Sequence, residues 1–160
     1  MNRHRWIPRT LWVLFALLGA SHAVRAGDDQ RGPSVALLPK YKQECAACHV
    51  AFPPGMLPAD SWRRLMSNLP RHYGTDASLD AATVSELATW LSANAGTYKR
   101  VREAPPEDRI TKSAWFIRKH DEVPADVWKR PAVKSAANCA ACHTQADQGN
   151  FNEHTVRIPR

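Results

Sequence analysis

Two copies of one pentapeptide, Cys45-Ala-Ala-Cys48-His49 and Cys139-Ala-Ala-Cys142-His143, contain all four cysteines of this chain. Cys-x-x-Cys-His is the attachment sequence of c-type haem. Each thiol adds across a vinyl group on the porphyrin edge, and the adjacent histidine offers its imidazole to the iron. On a helix the two sulfurs and the imidazole fall at i, i+3 and i+4, which is one face, so each copy is expected on a helix. The motifs therefore predict two covalently attached haem c groups, held by Cys45, Cys48, Cys139 and Cys142, with His49 and His143 as iron ligands. A four-thiolate zinc site or a pair of disulfides would use the same cysteines but give neither histidine a role. A thioredoxin-like redox pair wants a strand and helix pattern, which neither copy has.

An iron with one histidine has a second axial position to fill, and the chain offers few groups for it. Past residue 26 the spare candidates are His72, His120, His154, Met56 and Met66. His72 continues the apolar stripe Trp62, Leu65, Leu69, which points its imidazole toward the core that would hold the first haem. Met66 shares that stripe, but methionine on a helix stripe is commonly core filling. For the second haem, His120 follows Phe116 at i+4 within Ala114-Trp115-Phe116-Ile117, where aromatic neighbours can pack on a porphyrin. His154 is the other local choice, in a polar tail expected to be mobile. Residue patterns alone leave that choice open.

The elements that must position these groups read as helices. A first segment, Leu37 to His49, is expected to turn helical after Pro39 and end in the first motif. A loop at Pro53-Pro54-Gly55 follows. A second helix opens at Ala59 or Asp60, with Trp62, Leu65, Met66 and Leu69 on one face, and a third runs from about Leu79 to Ala95, capped by Ser78 or Asp80 and closed by Gly96. Together they fit a class I cytochrome c-like unit. Ala104-Pro105-Pro106-Glu107 marks the best boundary, and beyond it Ser113 to His120 makes one or two helical turns before Pro124 and Pro131 impose extended chain. The expected class is all-α: a cytochrome c-like helical domain over residues 27–103 and a smaller, irregular haem-binding domain over 104–160.

The N-terminus is basic and free of acid through Thr10, then apolar from Leu11 to Ala20, then small. It reads as a secretory signal peptide over residues 1–26, cleaved after Val24-Arg25-Ala26. Its ten-residue apolar run falls short of the roughly 20 residues that span a bilayer, so no transmembrane segment is expected in the mature chain. Cleavage removes Arg3, Arg5, Arg9 and Arg25 and lowers the formal charge from +7 to +3, leaving 18 basic residues against 15 acidic ones. The four propionates of two haems would offset that remainder. No run of Lys or Arg interleaves with aromatics as a nucleic-acid groove requires, so no nucleic-acid partner is expected.

The chain resembles the bacterial dihaem cytochromes c that act as partners of a small oxygen-binding monohaem cytochrome and of a membrane cytochrome b. The resemblance spans nearly the whole mature chain. It rests on the first motif with Pro53-Pro54-Gly55-Met-Leu-Pro58 and Ser61-Trp62-Arg63, and on Asp76-Ala-Ser-Leu-Asp80. It continues through Arg109-Ile-Thr111, Trp115-Phe116 and Val127-Trp128-Lys-Arg-Pro131 to Asn138 with the second motif and the ending Arg157-Ile-Pro-Arg160. Membership implies two irons with histidine on both sides, used for electron transfer, and His72 and His120 fall where the distal ligands carry over; the periplasmic location is expected from the signal peptide. The expected function is electron transfer between redox partners. The alternatives are a dihaem peroxidase, with His154 or a displaceable His120 near Glu122 as its distal machinery, and an electron-transfer subunit of a reductase complex.

Overall fold

The computed structural model describes residues 35–160. The signal-peptide reading of residues 1–26 lies outside them. The described residues contain α-helices, 3-10 turns and two isolated bridges but no strand, so the all-α class expected from the sequence holds.

Helix α1, Pro39–Cys45, begins on a proline, which tolerates the first helical position because its missing N–H would have no partner there. Its Tyr41 is buried and donates its hydroxyl to the Phe52 carbonyl at 2.9 Å. Helix α2 spans Ala59–Ser67 and buries Ser61, Trp62 and Met66. Helix α3, Ala81–Ala93, is capped by Asp80, whose side chain accepts from the Thr83 N–H. Leu87 and Leu91 of α3 are fully buried and join Tyr41, Leu57, Trp62, Met66 and Leu69 in one core. The helix spacings expected from the sequence thus bury the faces they should.

Loops close this unit through main-chain groups. The indole of Trp62 donates to the Pro54 carbonyl at 2.7 Å, and the Tyr98 hydroxyl donates to the Gly55 carbonyl at 2.8 Å. After α3, the Gly96 N–H donates to the Leu57 carbonyl at 2.9 Å. A Cβ on Gly96 would lie 2.5 Å from the Gly55 carbonyl oxygen. Only glycine lets the chain pass there.

The later residues use one short α-helix, α4 (Ala114–Lys119), capped by Ser113, and then 3-10 turns at Val127–Lys129, Cys139–Ala141, Ala146–Gln148 and Glu153–Thr155. Their apolar centre is small: Phe116, Val127, Val133 and Ala146. The tail, expected to be mobile, makes hydrogen bonds to earlier residues. Arg157 donates its N–H to the Cys142 carbonyl at 2.8 Å, Val156 bridges His143, and the Arg130 guanidinium donates to the Pro159 carbonyl. Polar composition without periodicity concealed these contacts because each uses a main-chain group of the tail, which no side-chain pattern announces.

Candidate haem sites

The first attachment motif begins on the last residue of α1 and continues as a turn, and the second lies outside any α-helix. α1 ends at Cys45, leaving Ala46 to His49 in a turn, and the second motif occupies a 3-10 turn with a bridge at His143. The shared face expected from helical spacing is replaced by local turn geometry, which a run of Ala-Ala-Cys-His does not distinguish from helix. Burial pushes the thiols of Cys45 and Cys139 up to about 11, and the neighbouring Glu44 adds to the effect at Cys45.

The histidines meet in two pairs. The rings of His49 and His72 stand 6.2 Å apart between centroids, with planes 26° from parallel. Those of His120 and His143 stand 6.1 Å apart, with planes at 73°. Two metal–imidazole bonds of about 2 Å end to end, plus roughly 1 Å from each nitrogen to its ring centre, add to about 6 Å. Each pair is therefore spaced to hold one iron. His49 Nδ1 lies 2.7 Å from the Val50 carbonyl and His120 Nδ1 lies 2.9 Å from the Phe116 carbonyl; with the proton on Nδ1 donated to that carbonyl, the lone pair of each ring is on Nε2. His143 Nδ1 is buried with no hydrogen-bond partner.

The elements deliver these rings differently. His120 is the C-cap of α4, stacked on Phe116 of the same helix at 4.0 Å, with Trp128 5.9 Å away. The i, i+4 reading of that pair carries over directly. His72 is not on a continuation of α2, because the helix stops at Ser67. Pro70 lacks an N–H and disfavours helix at Leu69 before it. A 3-10 turn, Leu69–Arg71, and a tight turn with φ of 53° at Tyr73 and 94° at Gly74 present His72 instead, closed by the Thr75 N–H on the His72 carbonyl. Positive φ at both central residues is the type I′ pattern. Burial lowers the pKa of His72, helped by the nearby His49 and Arg109, and burial with His120 does the same for His143. Neutral imidazole is the form that binds metal.

The other candidates lie elsewhere. Met66 is buried in the α2–α3 core, and His154 is exposed in the turn Glu153–Thr155, without a ring contact to His143. Sequence reasoning missed Phe52, stacked on His49 at 4.8 Å, and Phe151, 5.5 Å from His143. An aromatic residue soon after each motif was the available signal.

Comparison with known proteins bears on these sites. A family model described as dihaem cytochrome c matches residues 41–151. The chain belongs to the dihaem cytochrome c family. Among solved structures, a dihaem cytochrome c of Shewanella baltica is 39% identical, with a TM-score of 0.67 over 76% of this chain and 92% of that one. Two structures of dihaem cytochrome c from Rhodobacter sphaeroides are 42% and 43% identical, with TM-scores of 0.65 and 0.63, each covering 73% of this chain and 98% or 99% of the other. No curated protein matches. As a dihaem cytochrome c, the protein carries two covalently attached c-type haems and transfers electrons between redox partners. Among the described residues no helix is long and apolar enough to cross a membrane.

Proposed function

We propose that this cytochrome is an exported, periplasmic electron carrier in which both irons are six-coordinate with two histidines each, His49 and His72 at the first haem, His143 and His120 at the second. The observation that carries this is the pair of imidazole separations, 6.2 and 6.1 Å. Cys45, Cys48, Cys139 and Cys142 would bind the porphyrin edges, dividing the mature chain into a first haem domain over 27–103 and a second over 104–160. Bound haem supplies a one-electron couple, and imidazole in place of a thioether lowers its potential. The protein's own residues hold the axial rings and keep water from the iron.

With both axial positions filled, no site remains for substrate, so the reading assigns no enzymatic step to this chain. A peroxidase would need a general base beside an open iron. His154 and Glu122 are both exposed, which does not favour that alternative. A membrane cytochrome b and a small monohaem cytochrome c fit as partners, since either exchanges single electrons. Carbon monoxide tests the coordination: the reduced holoprotein is expected not to bind it rapidly. Rapid stoichiometric binding at either haem would overturn the reading.

A further inference from the structure

Metal-bound histidines ordinarily donate the second ring nitrogen to an acceptor that fixes the ring. His49 and His120 have such acceptors in the Val50 and Phe116 carbonyls. No described residue gives one to His72. Its ring is instead packed against the next residue, Tyr73, at 4.9 Å. Tyr73 is itself a strained position, a non-glycine residue at φ 53°, and it is 40% exposed. Something must hold it.

The holding contacts come from the segment joining the two haem regions. The Tyr73 hydroxyl donates to the Glu107 carbonyl at 2.9 Å, and the Arg109 guanidinium lies 4.0 Å over the Tyr73 ring. Glu107 and Asp108 both have positive φ, 57° and 55°, a conformation that persists only where surroundings impose it. Arg64 of α2 imposes it here, donating to both oxygens of Asp108 at 2.8 and 2.6 Å.

We propose that Tyr73 and Arg109 are positioning residues for the His72 imidazole, and that the strap 107–109 clamps the first haem's distal ligand from the chain that leads to the second haem. The proposal rests on the bis-histidine reading above. Its selectivity follows from the geometry: His120 is fixed within α4, by Phe116 and its carbonyl, and does not depend on the strap.

The test uses the dihaem holoprotein in its wild-type form and as Tyr73→Leu, Tyr73→Phe, Arg109→Ala and Arg109→Lys, with His72→Ala identifying the first haem's signals. Two readouts apply, electron paramagnetic resonance of the oxidised protein and carbon monoxide binding to the reduced one. Tyr73→Leu and Arg109→Ala are expected to shift the first haem's low-spin signal and raise its carbon monoxide uptake by roughly tenfold or more, leaving the second haem unchanged. Tyr73→Phe, which keeps the ring, and Arg109→Lys, which keeps the charge, are expected to fall between those variants and wild type. These milder variants carry the test if the others fail to fold. Unchanged spectra and uptake in all four variants, over an inert wild type, would overturn the clamp alone, as would equal changes at both haems. Rapid uptake by the wild type would overturn the bis-histidine reading beneath it.

Discussion

A single missing Cβ decides how closely the chain after α3 can pass the loop before α2. Gly96 approaches the Gly55 carbonyl so closely that a methyl group would stand 2.5 Å from that oxygen and 2.6 Å from a Val101 methyl. The oxygen belongs to backbone, which also accepts from Tyr98, so it has little freedom to retreat. Gly96→Ala is expected to destabilise the holoprotein by about 1–3 kcal/mol, the usual cost of overpacking, read as a lower denaturant midpoint at unchanged slope. A midpoint equal to wild type would mean that the loop yields. The sequence marks Gly96 as a helix terminator, and the closer role is invisible there because Gly55 is 41 positions away.

Among the elements, α4 is the one whose shortness matters. Six residues cannot sustain a helix by themselves, so α4 depends on its cap, where the Ser113 hydroxyl accepts from the Phe116 N–H at 3.2 Å, and on the burial of Phe116. His120 hangs at its far end. Ser113→Ala is expected to cost about 1 kcal/mol and to perturb the second haem's spectrum while sparing the first. An equal change at both haems, or none, would show that α4 does not set the His120 ring. The contrast with Asp80, the cap of the longer α3, is instructive. Asp80 is one of the two caps that the sequence offers for α3, whereas Ser113 reads only as the start of a short helical segment, and its capping role comes from the structure. What periodicity misassigned was the chain after Ser67, where the stripe Trp62, Leu65, Leu69 runs on to His72 in sequence while Pro70 ends the helix in space. The ring arrives beside His49 by a turn, and a turn built on Tyr73 at positive φ has no ready sequence signal.

For the whole molecule, the two halves differ in how they are held. The first has a core around Leu57, Leu87 and Leu91, of which the two α3 leucines are legible from helix periodicity and Leu57, in the loop before α2, is not. The second has few buried apolar residues and is bound by hydrogen bonds to main-chain carbonyls, including the Arg157 N–H on the Cys142 carbonyl and the Arg130 guanidinium on the Pro159 carbonyl. Covalent haem is expected to supply much of its missing core. Deleting residues 153–160 would remove the strand-like bridge at His143 and both of those bonds. The truncated protein is expected to keep the first haem and to lose occupancy or low-spin character at the second, measured by haem per polypeptide and by spectra of each site. Full occupancy with unaltered spectra would return the tail to the mobile segment that its composition suggests.

The central claim is that four histidines pair as His49 with His72 and His120 with His143. Low-temperature electron paramagnetic resonance of the oxidised holoprotein, with and without His72→Ala and His120→Ala, tests it most directly. Imidazole planes 26° apart at one iron and 73° apart at the other split the iron's π orbitals differently, so two distinguishable low-spin signals are expected. His72→Ala is expected to abolish the one belonging to the near-parallel pair and His120→Ala the other. Two unaltered low-spin signals in either variant would contradict the pairing.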